Sequence, residues 1–119
     1  MPPRDLIQRT SASLAILKFC RTLPKTDEAR EAAGQLRRAA NGCRSNYRAA
    51  RKGRSRKEFT AKLGTASEEA DESVDWLEYL RDGGIKHDPA LLQEATELAK
   101  IMAKAYRTAK RNSEGNVGT

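Results

Sequence analysis

The stretch Lys52-Gly53-Arg54-Ser55-Arg56-Lys57-Glu58-Phe59 decides how this chain folds. Lys52-Gly53-Arg54 interrupts a long helical pattern, and Ser55-Arg56-Lys57-Glu58 matches a capping box. In such a box the serine oxygen accepts from the amide three residues on, while the glutamate reaches back to the serine's own amide. One helix therefore ends near Arg51 and another starts at Ser55. A reversal this short makes the two helices antiparallel neighbours.

Upstream of the reversal, a helix is expected from Asp27 to Arg51. Ala29, Ala32, Ala33, Leu36, Ala39, Ala40, Cys43, Tyr47 and Ala50 recur at three- and four-residue steps and face inward. Only Leu36 and Tyr47 are bulky, so this stripe lets neighbouring helices approach closely. Before it, Leu23-Pro24-Lys25-Thr26-Asp27 ends a first helix, because proline disfavours a helical residue ahead of it and Thr26 or Asp27 can cap the next helix. That first helix is expected from Asp5 to Leu23, with Leu6, Ile7, Thr10, Leu14, Leu17 and Cys20 or Arg21 as its stripe.

Downstream, the third helix carries Phe59, Leu63, Ala66, Ala70, Val74, Leu77 and Leu80 or Arg81 inward and stops at Asp82-Gly83-Gly84. Asp88-Pro89 opens a fourth, with aspartate as cap and proline at the first helical position. Its stripe is Leu91, Leu92, Ala95, Leu98, Ala99, Met102, Ala105, Tyr106 and Ala109. Four amphipathic helices on short connections give an all-α, antiparallel up-down-up-down four-helix bundle over residues 1–111. Residues 112–119 read as a disordered polar C-terminal tail.

The 119 residues suffice for one domain, and 38% of them are hydrophobic. Eighteen are alanines, which bury little area each, so the core is thin and burial against a partner would help it. Self-association is expected on that ground. Cys20 and Cys43 fit no metal or redox spacing and fall on helical stripes, as reduced core cysteines do. That usage, with no signal-peptide pattern and no apolar run near the ~20 residues of a membrane span, predicts a cytoplasmic protein without a membrane partner.

Charge is distributed unevenly. Between Arg37 and Lys62 lie ten basic residues (Arg37, Arg38, Arg44, Arg48, Arg51, Lys52, Arg54, Arg56, Lys57 and Lys62) against the one acid Glu58, a local charge of +9 in a chain of +7. The remainder sums to −2. Arg37, Arg44, Arg48 and Arg51 fall along one helix face, where like charges repel without a counter-charge. Arginine dominates the segment, which suits bidentate contact with phosphate or carboxylate. Three readings stay open: an ordinary solvated face, a nucleic-acid surface, and a contact with another subunit. An RNA or DNA surface would use Arg37, Arg44, Arg48, Arg51, Lys52, Arg54, Arg56 and Lys57. A subunit interface would oppose this segment to the acidic third helix, through Glu68, Glu72, Asp75, Trp76 and Tyr79, with Trp76, Tyr79 and Leu80 as an apolar strip, while Trp76 equally fits the periphery of the core.

The runs Gly34-Gln35-Leu36-Arg37-Arg38-Ala39-Ala40, Ser45-Asn46-Tyr47-Arg48 and Arg54-Ser55-Arg56-Lys57-Glu58-Phe59 resemble the signature of the bacterial four helix bundle protein family. That family includes proteins encoded in intervening sequences of large-subunit ribosomal RNA genes and the accessory variability determinants of diversity-generating retroelements. The resemblance extends from about Leu6 to Tyr106 and is most specific from Gln35 to Phe59 and from Ala66 to Leu80. It implies a cytoplasmic bundle assembled as a homopentameric ring. It also implies a basic surface which, in the retroelement branch, is associated with nucleic acid and a reverse transcriptase. The chain departs from the commonest pattern at Ala49, where many relatives carry glutamate, and at Asn41-Gly42, where glycine should soften the second helix by about 1 kcal/mol relative to alanine.

Enzymatic chemistry finds no support in the sequence. The sole histidine, His87, sits in a Gly-Gly-Ile-Lys-His-Asp-Pro loop, and no nucleophile elbow, zinc-protease motif or phosphate-binding loop is present. Glu68, Glu69, Asp71, Glu72 and Asp75 lack the Glu-x-x-His companion of di-metal bundles. No catalytic residue, metal or cofactor is expected. Tyr47 lies within the basic segment and could stack on a base, but its position on the stripe places it in the core.

Overall fold

The computed structural model describes residues 12–117, with side chains described through residue 114. Within that span four helices follow one another: α1 (Ala12–Arg21), α2 (Asp27–Arg51), α3 (Arg56–Asp82) and α4 (Pro89–Val117). Sequential helices pack side by side from α1 to α3 and α3 to α4, and α1 closes the circle by touching both α2 and α4. The bundle is a rod of 55 × 22 × 20 Å.

Each boundary has a local cause. Thr26 caps α2 by accepting from the Ala29 amide at 3.2 Å. Ser55 caps α3 by accepting from the Glu58 amide at 3.1 Å. The reciprocal half of that box differs from expectation: Glu58 Oε2 accepts from the amide of Arg54, at 3.2 Å, and not from that of Ser55. The glutamate thereby ties down the turn itself. Asp88 caps α4 through the Leu91 amide at 3.1 Å, with Pro89 at the first helical position. At the end of α3, Gly84 adopts φ +71°, and the amides of Gly84 and Ile85 bond the carbonyls of Arg81 and Leu80. This is a Schellman-type closure, which needs a residue free to be left-handed.

The core of α2 is the expected stripe without exception: Ala29, Ala32, Ala33, Leu36, Ala39, Ala40, Cys43, Tyr47 and Ala50 are all buried. On α3 the buried line is Leu63, Ala66, Ala70, Ser73, Leu77 and Leu80, with Phe59 and Val74 partly covered. Leu80 is fully buried, so it belongs to the core and not to an exposed strip with Trp76 and Tyr79. Two clusters result. One joins α1, the first half of α2, the end of α3 and the start of α4. The other joins the second half of α2, the start of α3 and the later turns of α4.

Two helix expectations need correction. On α1, Ala12, Ser13, Ile16, Phe19 and Cys20 are buried while Leu14 is exposed, so the inward face is turned away from the expected Leu14–Leu17 line. The expected residues Asp5 to Ser11, including Leu6, Ile7 and Thr10, lie outside the described residues. At the other end, α4 continues to Val117, so the helix persists through residues 112–117, where the sequence predicts a polar tail. No proline interrupts that stretch, and nothing in it forces a stop.

Burial raises the Cys20 thiol, with the Arg37 charge pulling weakly the other way. Cys43 is pushed up to about 12 by burial, aided by the Glu69 carboxylate. Both should therefore resist a thiol reagent in the native protein and react at once after denaturation. Leu36 is the one large aliphatic on the α2 stripe, so Leu36→Ala should cost about 2–5 kcal/mol. A urea titration should show its midpoint falling at unchanged slope.

Candidate nucleic-acid interface

Seven of the eight candidate cations meet at one end of the rod. Arg44, Arg48 and Arg51 descend the last turns of α2, Lys52 and Arg54 occupy the turn, and Arg56 and Lys57 begin α3. Arg44 is half-buried and the other six are exposed. Arg37 stands apart, roughly 20 Å back along α2 from Arg51. An open concavity of about 480 Å³ lies at the turn, lined by Ala50, Arg51, Gly53, Arg54, Ser55, Arg56 and Phe59.

Among the described residues the arginine row has no carboxylate partner. The ion pairs there are Arg30–Asp27, Arg81–Glu78 and Arg81–Asp82, all at the other end. Helix geometry explains this separation. Gly42 faces α3, where a side chain in its place would meet Glu69. Arg44 is two residues on, roughly 200° round the helix. The arginines thus occupy the side of α2 turned away from α3, and the acids of α3 cannot neutralise them within one chain.

Antiparallel packing brings further cations to this end. Phe59 on α3 and Tyr106 and Ala109 on α4 pack against one cluster, so the last turns of α4 lie beside the start of α3. Lys104, Arg107, Lys110 and Arg111 are exposed there. Glu58 and Glu114 are the acids within residues 44–62 and 104–114. Sequence reading missed the α4 cations because they are distant in the chain, although the up-down-up-down topology already placed them at this end. The basic surface is therefore a cap built from three helices and a turn.

Glu68, Glu72, Asp75 and Tyr79 fall along one exposed line of α3, at steps of four, three and four residues. They do not form one site. Glu68 lines an open groove of about 310 Å³ against α4, with Asp71 and Tyr106. Asp75, Trp76 and Tyr79 line another, of about 450 Å³, with Glu28, Glu31 and Ala32 of α2 and Glu78 and Asp82 of α3. Trp76 is half-buried against the core and meets Tyr79 edge-on, with ring centres 5.3 Å apart at 78°. Tyr47, 1% exposed, is in the core.

Glu69 explains the glycine of the Asn41-Gly42 pair. A methyl group at position 42 would lie 3.0 Å from the Glu69 carboxyl carbon, so the glycine makes room for this side chain between α2 and α3. The helix runs unbroken through it. Burial raises the Glu69 carboxyl, and Glu72 and Glu68 raise it further. Folding therefore favours the protonated form. The unfavourable contribution is absent below the ordinary value of 4.5 and grows as pH rises through the folded value. Glu69→Gln should melt higher than the parent at pH 7, and the difference should vanish in thermal melts below about pH 4.5.

Residues 8–107 match the sequence profile of the 23S rRNA-intervening sequence protein family. A crystal structure from Bacteroides thetaiotaomicron, of a protein with unknown function from the S23 ribosomal protein family, is similar in fold. The likeness has a TM-score of 0.78 at 23% identity and covers 90% of this chain and 99% of that one. No curated protein matches the chain.

Proposed function

Since this chain belongs to the 23S rRNA-intervening sequence protein family, we propose that it is a non-enzymatic, self-assembling protein whose basic cap holds RNA or DNA by the phosphate backbone. The observation that carries this reading is the cluster Arg44, Arg48, Arg51, Lys52, Arg54, Arg56 and Lys57, exposed or half-exposed at one end and without a carboxylate partner among the described residues. Unneutralised like charges held this close disfavour the fold, so a surface that keeps them is explained by a polyanion that neutralises them. Guanidinium groups suit phosphate through paired hydrogen bonds.

Nothing in the cap offers a rigid element aimed at base edges, so binding is to the backbone and indifferent to sequence. The only histidine, His87, is exposed in the α3–α4 connection, and we assign it no catalytic part. Assembly into a ring of five, and service as an accessory to a reverse transcriptase, are carried by the family resemblance. A second reading has one observation in its favour. The acid line of α3 is exposed, and the same chain carries its cationic complement, so the basic segment can serve self-assembly instead.

Binding to single- and double-stranded RNA and DNA should weaken by about 0.7 to 0.9 log units per log unit of salt for each phosphate contact. Arg48→Ala with Arg51→Ala should flatten that slope in fluorescence anisotropy and leave assembly, read by mass photometry, unchanged. If the double variant binds nucleic acid as before but breaks into smaller species, the arginines serve the interface and the nucleic-acid reading falls.

A further inference from the structure

The groove at the far end of the rod is the surface that the basic cap does not use. Tyr79 is 53% exposed and is, with Leu14, one of two large hydrophobic side chains left open among the described residues. Trp76 packs on the core behind it and meets it edge-on, so the aromatic face is held in place. Carboxylates surround this face. Arg81 already engages Glu78 and Asp82, and Arg30 engages Asp27. Among the described residues, Glu28, Glu31 and Asp75 have no such cation. A rigid aromatic surface rimmed by free carboxylates suits guanidinium groups, which stack on the ring and pair with the acids.

We propose that this groove docks the Arg54–Arg56 turn of a second copy of the same chain. The inference rests on the self-assembly part of the proposed function and names the contact that performs it. Charge complementarity selects the occupant: the turn is exposed and cationic, while the groove is concave, anionic and partly apolar. The chain cannot satisfy its own groove, because Arg56 and Tyr79 lie about 35 Å apart along α3. Docking is therefore between copies and head to tail. Each copy offers one turn and one groove, a heterologous contact that closes into a ring when the rotation per subunit permits.

The test uses the full chain in sedimentation velocity at micromolar concentration and physiological salt. Glu31→Lys with Asp75→Lys reverses the groove, and Arg54→Glu with Arg56→Glu reverses the turn. All four positions are exposed, so circular dichroism should show both variants folded. Each alone should lose assembly by more than about tenfold in affinity. Mixed in equal amounts they should form larger species again, as alternating open chains or even-numbered rings, since the reversed turn of one then meets the reversed groove of the other while the native turn meets the native groove. Tyr79→Ala, which changes no charge, should also weaken the parent assembly. That readout separates docking in the aromatic groove from simple attraction between oppositely charged surfaces. The groove variant should still bind nucleic acid, because the cap is intact. Assembly that survives both reversals, or fails to return in the mixture, overturns this contact while self-assembly itself stands. A parent chain that is monomeric throughout overturns both, even if its groove captures an arginine-rich peptide.

Discussion

The close approach permitted by the alanines of α2 is the constraint on which the rest depends. Ala29, Ala32, Ala39 and Ala50 are each no more than 2% exposed, and helices can lie that near only when nothing large stands between them. Little apolar area is gained per residue, so α2 must be covered along its whole length to stabilise the fold. The helix is consequently pinned in rotation. Once Ala33 and Ala40 face inward on either side of Leu36, the arginine row has one place to go, the outer flank away from α3.

Pinning α2 also fixes where charge can be cancelled. Carboxylates are plentiful on α3, yet they lie on the opposite side of the shared helix pair or at the far end of the rod. A chain could have relieved the repulsion simply by pairing i and i+4 charges along α2. The outcome is a rod with a cationic end that has no carboxylate partner among the described residues and an acid-rimmed aromatic groove at the other, each suited to something outside the chain.

The fold is legible in the sequence because capping chemistry and periodicity agree. The Thr26, Ser55 and Asp88 caps set three helix starts, and the α2 stripe is readable residue by residue because polar positions bracket it cleanly. On α1 that contrast is missing. Leu14, Ala15, Ile16, Leu17, Phe19 and Cys20 are all apolar, so period alone fits more than one inward face, and packing against α2 and α4 decides it. Glu58 bonding Arg54 instead of Ser55 is a choice of one residue within a turn, below what spacing can resolve. The candidate site is half legible for a different reason. Local clustering reveals the Arg44–Lys57 run, whereas Lys104, Arg107, Lys110 and Arg111 join it only once antiparallel packing is imposed. The acid line of α3 looks like one surface in sequence, but neighbours on either side divide it between two grooves.

The Arg54–Arg56 turn has two proposed uses, and they exclude one another on any single copy. A turn seated in a neighbour's groove has its guanidinium groups on carboxylates and is not free for phosphate. By linkage, a polyanion that prefers the free turn weakens assembly by the same factor that assembly weakens its binding. The row Arg44, Arg48 and Arg51 escapes that competition in part, since it lies along the flank of α2 and not at the tip. On the proposed reading, a ring would keep a basic flank on every subunit while occupying its tips, so nucleic acid held by the assembled form would contact α2 and α4, and nucleic acid held by the free chain would contact the turn as well.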